Sequence, residues 1–357
     1  MSSVWLDVLT PKQFWFFRHV AEELTRRNLR LTVSSRAYEQ VLPLIPEFKH
    51  AEVMVVGEYG GLYLKDKLFK SVERTWQLLE KIGEFDCAVS GGSPEAARIA
   101  YGLGKPHILT SDTPGSPVNR LVAPVSACVL SPWIVGKKRW LELGVQNHNI
   151  ILYRALDPVV WLRNYKPSKQ LLDEYGLDEK NYVLVRTPEY KAAYFNKVGW
   201  SLESFSNLLK EMAGRLKGYK LVVLPRYADE VVYLENQVGG NVVVVEKPVK
   251  DLALLYYSEI FIGGGGTMTQ EAALLGIPTI SFYPSRLPEV IQYLKNQGLI
   301  VHADGFQKIL EMTVSMVRDA DRIRSRLSRR AGKLIMSMEN PVEKIVKVVE
   351  SVVRSDG

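Results

Sequence analysis

Short apolar runs alternate with longer stretches in which apolar side chains return every three or four positions. That alternation predicts strands and helices in turn. Residues 4–8 read as a strand. Thr10 and Pro11 suit the cap and first turn of a helix from about Lys12 to Arg27, with Phe16, Val20, Ala21 and Leu24 on one face and Asn28 as a left-handed stop. Residues 29–34 are the next strand, Ser35 caps a helix to about Ile45, and residues 52–56 form a third strand ahead of Gly57, Gly60 and Gly61. A long helix is predicted over 62–82. Strands at 86–90, 105–110 and 127–131 follow, with a helix opened by Gly91-Gly92-Ser93-Pro94 between the first two.

The second half repeats this order. Strands are predicted at 182–186, 220–224, 241–246 and 258–262, a helix capped by Ser201 runs to about Leu216, and a short one covers 251–256. A turn is expected at Thr187-Pro188-Glu189. A strand near 299–302, a helix from Gly305 and a last helix over 341–353 close the chain. Strands separated by helices imply parallel pairing with right-handed crossovers. At 357 residues the chain exceeds the ~250–300 at which single cores stop growing. The expected organisation is an α/β protein of two Rossmann-like, doubly wound parallel-sheet domains: 1–157, 158–340, and a C-terminal helix 341–357 that packs back on the first domain.

Residues 258–283 concentrate the chemistry. An apolar strand runs into Gly263-Gly264-Gly265-Gly266, a helix of good formers follows from Thr267 to Leu275, Gly276 stops it, and Pro278 opens another apolar strand. Bare glycines let a bulky anion reach backbone N–H groups, and the helix N-terminus adds roughly half a positive charge. A phosphate-bearing ligand fits; the plain alternative is a tight turn with close helix–strand packing.

Composition is that of an ordinary globular protein, 46% hydrophobic and 24% charged. Cys87 and Cys128 offer neither metal-ligand spacing nor a disulfide framework, which suits a reducing, cytoplasmic setting. The N-terminus has no basic and apolar leader, and no apolar run approaches the ~18 residues of a membrane span. Net charge is +7, with seven basic and two acidic residues between Arg318 and Lys333. That segment reads as a solvated helix or as a contact for anionic lipid. No nucleic-acid-binding motif is present, so nucleic acid is not an expected partner. Aromatic and basic residues mix in 132–141, in Phe14-Trp15-Phe16-Phe17 and in 63–70; the first suits a membrane headgroup region or ordinary partial burial, and the second reads as core at the start of an amphipathic helix.

In open parallel sheets, ligands collect outside the carboxyl ends of the strands. Here those loops carry Gln13, Ser90, Gly91, Gly92, Ser93, Asp112, Arg226 and Gly263 to Thr267. Loops of the two halves facing across a cleft would let one domain hold an activated donor and the other an acceptor. Arg226 follows a strand and a proline, so its cation can neutralise a departing diphosphate or form a plain salt bridge. Asp112 can serve as general base on an acceptor hydroxyl or cap the segment 116–122. No metal pair stands out, and a helix N-terminus plus a cation can replace a metal at a leaving group. The five histidines form no spaced pair.

Two such halves joined to Gly265-Gly266-Thr267-Met268-Thr269-Gln270-Glu271-Ala272-Ala273-Leu274-Leu275-Gly276-Ile277-Pro278 resemble the GT-B fold. The motif is similar to that of the glycosyltransferases making lipid II and of the non-hydrolysing UDP-N-acetylglucosamine 2-epimerases. Trp5-Leu6-Asp7-Val8-Leu9-Thr10-Pro11-Lys12-Gln13-Phe14, Ser90 to Arg98 and Asp112-Thr113-Pro114 resemble, over most of the chain, the largely archaeal family called domain of unknown function 354. The resemblance implies a glycosyltransferase using a nucleotide-sugar, a UDP-sugar, as substrate, with no cofactor and no metal. A sugar-nucleotide epimerase or a non-catalytic nucleotide-binding protein is the alternative. It implies diphosphate contacts at Gly264, Gly265, Gly266, Thr267 and Met268, ribose contacts at Glu271, and acceptor contacts at Asn119 and Arg120. The acceptor would be a polyprenyl-linked lipid or glycan, with peripheral contact to anionic membrane on the cytoplasmic face. Gln13 stands where many relatives carry a histidine; it hydrogen-bonds but takes no proton.

Overall fold

The computed structural model describes residues 2–61, 63–188, 201–247, 249, 251–283 and 286–355. Its strands form where apolar runs can be buried on both faces, as parallel sheets require. Seven make the first sheet: β1 (Ser3–Asp7), β2 (Arg30–Ala37), β3 (Glu52–Glu58), β4 (Cys87–Ser90), β5 (His107–Thr110), β6 (Cys128–Pro132) and β7 (Ile150–Tyr153). Six make the second: β8 (Tyr182–Arg186), β9 (Lys220–Leu224), β10 (Val242–Val244), β11 (Ile260–Gly263), β12 (Thr279–Ser281) and β13 (Val301–His302). The orders are β3-β2-β1-β4-β5-β6-β7 and β10-β9-β8-β11-β12-β13, and every pairing is parallel.

Both orders reverse direction once. In the first sheet the chain winds outward from β1 to β3 and restarts at β4 beside β1; in the second it winds from β8 to β10 and restarts at β11 beside β8. Each sheet therefore has a crevice at its carboxyl edge where neighbouring strands send their connections to opposite sides.

The chain divides into Met1–Trp161 with Met338–Gly357, and Leu162–Ser337. The helix Pro341–Ser355 belongs to the first unit: it packs on the helix Pro11–Arg26, and Arg27 Nη1 donates to Glu350 at 2.9 Å. In the second unit Val183, Val185, Phe205, Leu209 and Ile262 belong to one buried cluster, and Tyr182, Leu184, Phe261 and Ala272 belong to another.

Several local expectations change. No α-helix spans 35–45. β2 runs to Ala37, Ser35 Oγ donates to the Val8 carbonyl at 2.6 Å, and turns lead to a 3-10 turn at Ile45–Glu47. Ser35 thus serves the sheet rather than a cap, and Pro43 and Pro46 discourage a regular helix. Edge strand β7 and the helices Ala228–Gln237 and Glu289–Asn296 add elements to the pattern. Glu189 and Leu62 lie outside the described residues.

Candidate functional site

The second unit's crevice lies between β8 and β11. β11 ends at Gly263, in register with Arg186 and Ser281, and the helix Thr267–Leu274 starts four residues on. No side chain caps this helix at Gly266. Gly265, Gly266, Thr267 and Met268 are half-buried, whereas Gly263 and Gly264 before them and Thr269 to Glu271 after them are buried.

Arg226 stands against this turn. Its Nε donates to the Thr187 carbonyl at 3.0 Å, and its backbone N–H donates to Glu230 Oε2 at 2.5 Å. Thr187 Oγ1 donates to the same carboxylate oxygen at 2.7 Å. Burial raises the Glu230 carboxyl above its ordinary range, against these hydrogen bonds and the neighbouring arginines. So anchored, Arg226 lies so near Gly265 that a Cβ there would stand 2.7 Å from Nη2. Glycine is needed here for close approach: a guanidinium, a bare backbone turn and a helix N-terminus converge, which is the equipment for binding a diphosphate.

Glu271 is buried in the second turn of that helix. Gln270 beside it is also buried, and its Oε1, like Ser281 Oγ at the end of β12, has no hydrogen-bond partner among the described residues. Thr187 stands at a strand end where the sequence already places a turn, whereas Gln270 and Glu230 are not singled out by sequence reasoning. Of these two, only Gln270 carries a local signal, through its place next to Glu271.

The first unit's crevice lies between β1 and β4 and is closed by its own side chains. Thr10 Oγ1 caps the helix Pro11–Arg26 by accepting from Gln13 N. Gln13 then staples the two strand ends: its Oε1 accepts from Leu9 N at 2.7 Å and its Nε2 donates to the Gly91 carbonyl at 2.9 Å. Ser90 Oγ accepts from the backbone of Gly92 and Ser93 and bonds His107 Nε2 at 2.9 Å. His107 Nδ1 is 2.8 Å from Ser126 Oγ, which spends its own proton on the Val122 carbonyl. The imidazole proton therefore belongs on Nδ1, and Ser90 donates to Nε2. Burial pushes the His107 pKa down to about 3, so the ring is neutral. Ser93 caps the helix Pro94–Gly102 and donates to Glu95 Oε2.

Beneath this turn, Asp7 at the end of β1 is fully buried with Arg74. Nη2 and Nη1 contact Oδ1 and Oδ2 at 2.5 and 3.0 Å, and Ser34 Oγ donates to Oδ1 at 2.6 Å. Burial alone would raise the Asp7 carboxyl; the Arg74 charge and the hydrogen bonds outweigh it and hold the group below its usual range.

Asp112, just past β5, joins a second ionic cluster. Lys12 Nζ lies 2.6 Å from Asp112 Oδ1 and 2.8 Å from Asp157 Oδ2, and Tyr153 OH donates to Asp157 Oδ1 at 2.6 Å. Burial would lower the Lys12 pKa, but the two carboxylates win and raise it. Burial raises Asp157, with Asp112 adding to it and Lys12 opposing. One cation between two carboxylates leaves a negative excess at this cluster. Asn119 is buried; its Nδ2 donates to Ser111 Oγ at 3.2 Å and the Thr113 carbonyl at 2.8 Å, and its Oδ1 lies beside Gly92.

The structure thus gathers Gln13, Gly91, Gly92, Asn119 and Asp112 at one edge of the first sheet, with Ser90 and Ser93 buried as the turn's framework. It gathers Arg226, Gly264, Gly265, Gly266, Thr267, Met268 and Glu271 at the matching edge of the second. Asp157, Tyr153 and Arg74 are additions: Arg74 and Asp7 stand 67 residues apart and Asp157 is still more remote in sequence from Lys12, so no local pattern announces them. Arg120, next to Asn119, is exposed. Within the aromatic–basic segment 132–141, Trp140 is fully buried with Leu109, Val122 and Val129 and serves the core, Lys137 Nζ donates to the Asn147 carbonyl, and Trp133 is half-buried. Phe14, Phe16 and Phe17 are likewise buried. Among the described residues no group of three or more His, Cys, Asp or Glu could hold a metal ion, and no helix is long and apolar enough to cross a membrane.

The chain belongs to the family described as Protein of unknown function (DUF354), whose model matches residues 2–353. It is 26% identical over 349 residues to the uncharacterized protein MJ0665 of Methanocaldococcus jannaschii, covering 95% of each chain. Among solved structures it resembles UDP-GlcNAc 2-epimerase from Neisseria meningitidis bound to UDP-GlcNAc (TM-score 0.73, 14% identity, 99% of this chain and 100% of that one). It also resembles the glycotransferase of kitacinnamycin (TM-score 0.63, 14% identity, 99% and 100%). The calicheamicin glycosyltransferase CalG4 is a third (TM-score 0.58, 12% identity, 99% and 98%). At such identities the likeness establishes the fold: two parallel-sheet α/β domains of the GT-B-like kind.

Proposed function

We propose that the protein is a glycosyltransferase that takes a UDP-sugar donor and works without a metal ion at the leaving group. The observation that carries this reading is Arg226 laid against Gly265 ahead of the uncapped helix Thr267–Leu274. A diphosphate seated there meets a fixed cation and the positive end of a helix, so the charge that develops as the sugar C1–O bond breaks is stabilised in place. Glu271 accepts from the ribose hydroxyls. To the first unit's Asp112 falls the role of base for an acceptor hydroxyl, with Lys12 Nζ holding that carboxylate in place. The acceptor is a polyprenyl-linked lipid or a glycan. Contact with anionic membrane falls to the helix Ala320–Met336, where Arg322, Arg326, Arg329 and Lys333 recur on one exposed face.

A UDP-N-acetylglucosamine 2-epimerase-like reaction is the second reading. It uses the same diphosphate cradle, and the titratable cluster Lys12, Asp112, Tyr153 and Asp157 favours it as a proton-handling group. A panel of UDP- and GDP-sugars decides. Binding at ~100 times the dissociation constant stabilises the fold by about 2.7 kcal/mol. Free UDP that accumulates only with acceptor supports transfer, and a converted sugar supports epimerisation. Binding without either leaves a nucleotide-binding protein, and no calorimetric heat with any nucleotide sugar overturns all three.

A further inference from the structure

The helix Leu64–Lys81 carries two faces that do different work. Its inward face buries Leu78 beneath Trp5 and Val56 and sends Arg74 to Asp7 and, at 3.5 Å, to Glu95. Its outward face is apolar and bare: Leu64, Leu68, Phe69, Val72, Trp76 and Leu79 are 50–83% exposed. At ~100° per residue these six fall on one arc of about 140°, separate from the arc that holds Leu78 and Arg74. Six side chains of that size present on the order of 700 Å² of apolar surface, above the few hundred of an ordinary monomer patch and near the ~800 Å² per partner of a stable interface. Tyr101 and Leu103, at the end of the adjoining helix Pro94–Gly102, are also exposed.

We propose that this face pairs with the same face of a second copy of the chain, the two helices antiparallel about a two-fold axis near Val72. Val72 sits at the middle of the helix and near the middle of the arc. Lys65 falls inside the arc between Val72 and Trp76 at the first turn, and Glu80 falls just past the Phe69 side of the arc at the last, so antiparallel pairing sets each Lys65 near the other copy's Glu80. Parallel pairing would only level each Lys65 with the other copy's Lys65 and bring no opposite charge to it. The flanking charges are mixed, with Asp66 and Glu73 among Lys67, Lys70 and Lys81, unlike the one-sign rim that draws a helix to anionic lipid. The pairing also has a purpose inside the subunit: Arg74 projects from the same helix, so a partner that fixes the helix also fixes the ion pair under the β1–β4 crevice.

Sedimentation velocity on the full chain should give twice the chain mass, and Leu68→Glu with Trp76→Glu should give a monomer with unchanged far-ultraviolet circular dichroism. Since Cys87 and Cys128 are buried, mild oxidation should cross-link Val72→Cys into disulfide dimers and leave Leu64→Cys uncrossed. A folded parent that stays monomeric, a dimer that survives the double substitution, or cross-linking of Leu64→Cys in place of Val72→Cys overturns the proposal. So does a monomer that co-sediments with phosphatidylserine vesicles through this face. Nucleotide-sugar binding enters none of these measurements, so they stand or fall apart from the proposed activity.

Discussion

The two crevices share a topology and differ in what fills them. At the β1–β4 edge the chain satisfies itself: Gln13 joins Leu9 to Gly91, Ser90 gathers two backbone N–H groups, and Arg74 neutralises Asp7. At the β8–β11 edge the turn is glycine only, the helix behind it is uncapped, and the nearby cation is anchored through Nε and its backbone beside Gly265. One edge is rigid because its polar groups face each other. The other holds an arginine where an anion would sit. The same fold thus carries a turn satisfied by its own side chains in one unit and a bare turn beside an arginine in the other, and side chains make the distinction.

The largest effect that would test this contrast is on stability. Arg74→Met should cost about 3–5 kcal/mol in urea unfolding, since it strands a buried carboxylate. Arg226→Met should leave the urea midpoint nearly unchanged. Equal losses in the two variants would erase the distinction. Next comes ligand affinity: Arg226→Met should weaken UDP binding by calorimetry about tenfold to a hundredfold, in line with ~1.5–3 kcal/mol for a hydrogen bond to a charged group. Unchanged affinity in the folded variant removes Arg226 from the site.

The closed crevice should also have a pH signature. His107 has its pKa depressed to about 3 in the fold against an ordinary 6.5, so the unfolded chain takes up a proton that the folded one refuses. Its stabilising contribution is complete above pH 6.5 and is lost as pH falls toward 3, by up to ~1.4 kcal/mol per unit. Asp7, also depressed, loses its contribution only as pH falls below 3.8. Buried Asp157 and Glu230, whose pKa values are raised, act in the opposite direction, so the informative quantity is a difference. The slope of stability between pH 4 and 6.5 should be smaller in His107→Gln than in the parent, by thermal melts. Equal slopes would place a charge on the folded ring.

The finest effect belongs to the open crevice. Glu271→Ala should weaken UDP-sugar binding about tenfold through lost ribose hydrogen bonds while sparing inorganic pyrophosphate. Equal losses for both ligands would assign Glu271 to the helix's packing rather than to the ribose.

Local chemistry made the alternating α/β pattern, the parallel sheets and the glycine turn readable, because periodicity and turn residues act within a few positions. Thr10 and Ser93 announced helix starts and the structure uses both as caps. Ser35 carried the same signal and was recruited by the sheet, since its hydroxyl met the Val8 carbonyl one strand away. β7 was illegible because its neighbours are set by β6, not by its own short run. Trp140 beside three cations reads equally as interface or as partly buried, and only the packing of β5 and β6 decides for burial.

By itself the sequence determined the elements, their winding and the place where a phosphate could meet bare backbone, all short-range properties of the chain. Only the tertiary structure decided which charges meet. Lys12 finds Asp112 and Asp157, Arg74 finds Asp7, and Arg226 finds Gly265 because strands distant in sequence end at one sheet edge. Burial then sets what those meetings are worth, and burial is a property of the folded whole.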